Sequence, residues 1–110
     1  MNALRNSMVY NHVHGYYGLT HNNVSVQMYT SHCWIRLENV YGNAAKAVRR
    51  KLCRMARTLH LEYLNSNSAS ADICVNLYSR KDEHRALELV KYASGKKLAK
   101  TARNNNNRSR

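Results

Sequence analysis

Acidic residues are scarce in this chain of 110 residues: six Asp and Glu stand against eighteen Lys and Arg, for a formal net charge of +12. The six carboxylates are scattered and suggest no acid–base pair, and there is neither a Gly-rich phosphate loop nor an H-E-x-x-H pair. An ordinary metabolic enzyme is therefore not expected. No apolar run approaches the length of a membrane span, and MNALRNSMVYNHVHG at the start lacks a continuous apolar core. Neither a spanning helix nor a signal peptide is expected. Cys33, Cys53 and Cys74 stand far apart with no C-x-x-C. That pattern speaks against a disulfide framework and for a reducing compartment, cytoplasm or nucleus. His12, His14, His21, His32 and Cys33 offer no structural-zinc spacing, so no metal or other cofactor is expected. Proline and phenylalanine are absent. The rings are eight Tyr and one Trp, so nearly all carry a polar handle that suits interfaces as well as cores.

What is present suffices for one small globular domain, with 44% apolar residues. The first forty residues read as β. Tyr16–Thr20 and Val24–Tyr29 flank His21-Asn22-Asn23, a break compatible with a hairpin loop. Val24, Val26 and Met28 alternate with polar neighbours, and Cys33, Ile35 and Leu37 alternate on the opposite phase, which places a bulge or a turn near Thr30-Ser31. Met8–Val13 is a weaker strand pattern. A helix is expected over 44–64, capped by Asn43, with Ala45, Val48, Leu52, Met55, Ala56, Leu59 and Tyr63 on one face. A polar linker, 65–71, leads to a strand at Ile73–Tyr78. Ser79 and Asp82 then resemble a capping box opening a second helix, with Ala86, Leu87, Leu89, Val90 and Ala93 inward and Gly95 as a left-handed end. The expected fold class is α+β. It comprises a small antiparallel or mixed sheet of two or three N-terminal strands plus one later strand, with two helices packed on it in strand-strand-helix-strand-helix order. Residues 1–94 form the domain and 95–110 a flexible basic tail. Trp34 is expected in the core.

Charge placement carries the functional reading. Residues 43–64 hold six basic side chains against Glu62, and residues 95–110 hold six against none. Lys46, Arg50, Arg54 and Arg57 recur at helical spacing opposite the apolar face, and Arg49 and Lys51 widen the row. Guanidinium groups bind phosphate bidentately, and each neutralised phosphate releases counterions. Lys96, Lys97, Lys100 and Arg103 supply a second clamp. The expected ligand is a nucleic acid, RNA over DNA, duplex or structured, bound largely through its backbone. A symmetric dimer would double the row. An acidic protein or an anionic membrane surface is the remaining use of such a helix, and no membrane partner is expected because the apolar face is narrow and needed for the core.

Two resemblances bear on this. Residues 94–103, SGKKLAKTAR, are similar to the segment with which double-stranded RNA-binding domains begin their last helix. The resemblance covers about ten residues and implies that Lys96, Lys97 and Lys100 contact phosphates across a groove. The family places strands before that segment, whereas here a helix is expected to run into it. His12-Val13-His14 resembles the metal-binding pair of rolling-circle (HUH) endonucleases, and Tyr92-Ala-Ser-Gly-Lys96 has the spacing of their Y-x-x-x-K nucleophile motif. That resemblance implies an alternative, a metal-dependent nuclease in which Tyr92 attacks a phosphate polarised by a metal on His12 and His14.

Overall fold

A computed structural model describes residues 3–64, 69–100 and Ala102. A short helix, α1 (Ala3–Asn6), precedes four strands: β1 (Val9–Asn11), β2 (Tyr16–His21), β3 (Val24–Met28) and β4 (His32–Leu37). Helix α2 (Gly42–Thr58), strand β5 (Asp72–Asn76) and helix α3 (Arg80–Ala93) follow. The strands form one antiparallel sheet in the order β1-β2-β3-β4-β5. The α+β class is as expected, but there are five strands where the sequence suggested three or four. The phase change at Thr30-Ser31 is a full reversal, closed by the Tyr29 N–H donating to the His32 carbonyl at 2.9 Å. The two alternating runs are therefore separate strands.

Each reversal has a local cause. Asn22 and Asn23 have φ of +46° and +67°, the sign pattern a two-residue type I′ hairpin requires, and Asn tolerates it better than most residues. Between β1 and β2, the Asn11 carboxamide oxygen accepts from the N–H groups of Val13 and His14, both at 3.0 Å, which folds residues 12–15 into a turn.

Val24, Val26 and Met28 of β3 and Cys33, Ile35 and Leu37 of β4 point to one face, where both helices pack. Val48 and Leu52 of α2 and Leu87, Leu89 and Val90 of α3 fill the space between, each almost wholly buried. Side chains of this kind stabilise a fold by about 1.5–3 kcal/mol apiece when removed from water. The inward stripe of α3 is the expected one.

Helix ends depart from expectation. Helix α2 starts at Gly42, whose φ of +60° suits glycine, after an N-cap Tyr41 that makes no side-chain cap; Asn43 lies inside the helix. It ends at Thr58 rather than 64. His60 is left-handed (φ +60°), its N–H donates to the Arg57 carbonyl, and the Leu61 N–H donates to that of Ala56. This is a Schellman closure with histidine where glycine is usual. It reverses the chain so that Glu62–Leu64 runs beside β5: the Asn76 N–H donates to Glu62 O and the Leu64 N–H to Cys74 O.

At α3, Ser79 is the N-cap without a side-chain cap bond; Asp82 instead accepts from the Tyr78 N–H at 2.8 Å. Gly95 is not left-handed. The chain turns there into a further helical segment, 96–100, and a Cβ on Gly95 would stand 3.2 Å from the Tyr92 carbonyl oxygen. Leu98 and Ala102 are buried in the core, so the described part of the expected tail packs on the domain. Among the described residues no helix is long and apolar enough to cross a membrane.

Candidate nucleic-acid interface

The outer face of α2 carries the predicted row. Lys46, Arg50, Arg54 and Arg57 are exposed, and Arg49 and Lys51 are half-buried on opposite flanks. Helical rotation separates these cations into groups. Arg49, Arg50, Arg54 and Arg57 line one cleft of about 520 Å³, where the flank of α2 meets the β5 edge. Lys51, on the far flank, and Lys46, nearer the helix start, do not line it. The remaining walls are Cys53, Tyr63 and Leu64, with Trp34 from β4 and Asp72, Ile73 and Cys74 from β5. Tyr63 and Leu64 reach this wall only because the closure at His60 lays them along β5.

The cleft is positive, and its cations have no counter-ion among the described residues. Among the described residues no ion pair involves α2. The one acid in the wall, Asp72, is already paired with Arg36 at 3.3 Å. Arg49 Nη1 is buried without a hydrogen-bond acceptor. A buried donor left unpaired is costly, more so on a charged group, and an incoming anion would satisfy it. Burial pushes the Cys53 thiol up, against the pull of Arg49, Arg57 and a hydrogen bond with Tyr63. Cys53 is thus a neutral thiol at neutral pH, suited to a wall and not to attack or metal binding.

Lys96, Lys97 and Lys100 are exposed on the helical segment that Leu98 anchors. They follow α3 directly, with no strands between, which is where the chain departs from the order of double-stranded RNA-binding domains. Arg103 lies outside the described residues.

The histidine pair does not have the expected arrangement. His12 and His14 sit in the β1–β2 turn instead of sharing a strand face. His12 meets Tyr10 edge-on and His14 stacks over Tyr16. Tyr92 is half-buried against the core, and Lys96 begins a separate helical segment after Gly95. Among the described residues no three His, Cys, Asp or Glu side chains stand close enough to hold a metal.

Trp34 is where the sequence reading missed a candidate. It is 37% exposed on the sheet face away from the helices, because the alternation that buries Cys33, Ile35 and Leu37 turns Trp34 outward. The signal was in the strand period and was outweighed by the size of the ring. Tyr16 and Tyr29 lie 5.3 Å apart, and His32, two residues before Trp34, stacks on Tyr29 at 4.5 Å. The chain matches no family model, no curated protein and no solved structure at a significant level.

Proposed function

We propose that this protein binds nucleic acid, RNA in preference to DNA, chiefly through the phosphate backbone. Arg49, Arg50, Arg54 and Arg57 are the primary contacts, Lys46 and Lys51 extend them along the helix, and Lys96, Lys97, Lys100 and Arg103 are the secondary contacts. The observation that carries this reading is the cleft with four arginines, no free carboxylate and an orphaned guanidinium nitrogen. Such a site accepts an anion with several oxygens, and a polyanion can fill it while covering the cations beyond it. The outer face of α2 is mostly Lys and Arg, which suits backbone contact, and Asn43 in its first turn is the one amide there of the kind that pairs with base edges in a DNA groove. Duplex or structured RNA is the favoured ligand, and the role is binding without chemistry.

A salt titration of binding to single-stranded RNA, duplex RNA and duplex DNA tests this, with and without magnesium or manganese and with the products run on a denaturing gel. A log–log slope of about −4 to −6 with intact RNA is expected if the row neutralises that many phosphates. No binding at moderate salt would refute it and leave an acidic protein or membrane surface as the ligand. Metal-dependent cleavage would replace it with the nuclease alternative on His12, His14 and Tyr92.

A further inference from the structure

Trp34 stands between two recesses of different chemistry. On one side is the arginine cleft. On the other, a hollow of about 390 Å³ lies over the open sheet face, with Ser25, Gln27, Arg36 and the carboxylate-bearing Glu38 in its wall. Trp34 and Asp72 line both, so the recesses adjoin along the indole. Strand register sets this up: Gln27 faces Trp34 and Ser25 faces Arg36 across the β3–β4 ladder, while Cys74 faces Trp34 from β5. Among the described residues no ring or guanidinium stacks on the indole, although neighbouring tyrosines and histidines stack on one another.

Resting on the reading of this protein as a nucleic-acid binder, we infer that the Trp34 partition takes an unpaired nucleotide. The phosphate sits in the cleft against Arg49, Arg54 and Arg57, and the base stacks on Trp34 with its edge toward Gln27 and Ser25. A base inside a duplex is already stacked above and below and cannot lie on a side chain set into a sheet. An unpaired base can, and aromatic residues on open sheets recognise single-stranded segments in this way. Gln27 and Ser25 offer both donors and acceptors to a base edge. Asp72, the acid common to both recesses, does not oppose the phosphate as a free carboxylate because Arg36 holds it. The ligand class narrows accordingly to RNA with an unpaired stretch: single strands, or structured RNA whose loops reach the sheet while its stems lie along α2.

Trp34 is the single tryptophan of the chain, so its fluorescence, excited where tyrosine does not absorb, reports this position alone. The full chain is titrated with a single-stranded oligoadenylate and with a blunt RNA duplex of equal phosphate number. Quenching and protection from acrylamide with oligoadenylate, and neither with bound duplex, are expected. Trp34→Leu should lose about ten- to a hundredfold in affinity for oligoadenylate with duplex affinity unchanged, and Trp34→Phe should recover part of the loss. The wild-type fluorescence readout needs no substitution and so does not depend on how the variants fold. Oligoadenylate that binds without altering the fluorescence, or binds Trp34→Leu as well as wild type, overturns the partition and leaves the backbone reading intact. If neither RNA binds at moderate salt, both readings fall.

Discussion

The two long helices carry charge in opposite ways. Helix α3 holds four basic and three acidic side chains, and its charges are locally spent. Arg85 pairs with Asp82 at 3.1 Å, Lys91 with Glu88 at 3.3 Å, and Glu83 receives Arg5 from α1 at 2.9 Å. Asp82 and Glu83 also lie in the first turn, where the helix dipole favours negative charge. Helix α2 holds six basic side chains and no acid, and among the described residues none has a carboxylate partner. Packing does not require this, since both helices bury an apolar stripe against the same sheet. A row of like charges destabilises the helix that bears it, so the unspent charge of α2 is better explained by what approaches from outside.

The sharpest way to break the comparison is to reverse charge on each helix in turn. Arg50→Glu with Arg54→Glu removes two phosphate contacts and adds two repulsions. It should weaken RNA binding by about a thousandfold near physiological salt, roughly 4 kcal/mol, and lower the log–log salt slope by about 2. Lys91→Glu on α3 changes net charge by the same amount per residue but acts at an exposed pair worth about 0–1 kcal/mol, so affinity should fall only slightly. Filter binding over a salt series measures both. Equal losses per reversed charge from the two helices would mean that net charge alone drives binding and that the cleft has no special part.

Where alternation or helical spacing decided a residue's surroundings, they were legible in the chain. The two faces of β3 and β4, the inner stripes of both helices and the outward row on α2 follow from side-chain period alone. What was not legible depended on a single backbone angle or on a partner distant in sequence. Tyr63 fits the helical stripe, but the left-handed His60 sends it to the β5 edge. Val9 to Val13 alternates like a strand, but the Asn11 side chain folds its second half into a turn. The four arginines were readable as a row. That they converge on a cleft with Trp34 was not, because β5, which brings the sheet to them, lies beyond the linker in sequence.

The continuation of α3 tests whether the second basic cluster is built into the domain. Leu98 is 1% exposed and holds the segment that displays Lys96, Lys97 and Lys100. Leu98→Ala should cost about 2–4 kcal/mol in denaturant unfolding, whereas a loosely attached tail would make it silent. A smaller effect belongs to the start of α3. Asp82 is buried, accepts from the Tyr78 N–H and pairs with Arg85. Asp82→Ala should therefore lower stability by about 1–2 kcal/mol while leaving RNA affinity near that of wild type.

The gentlest probe leaves the cations intact and reads the cleft through its thiol. Cys53 is half-buried in the wall, whereas Cys33 is fully buried and its thiol is pushed up to about 12 by burial, with Cys74 and Glu83 adding to the effect. Only the thiolate is alkylated readily. Cys53, also raised by burial, should react more slowly at neutral pH than an unstructured thiol, faster as pH climbs toward its raised value, and ahead of Cys33 throughout. Bound RNA should slow Cys53 a few-fold further, both by covering the cleft and by engaging Arg49 and Arg57, whose charge otherwise favours the thiolate. Mass-spectrometric labelling with and without oligoadenylate follows each cysteine separately. A Cys53 rate indifferent to saturating RNA would place the ligand elsewhere on α2 and restrict the comparison between the helices to their exposed faces.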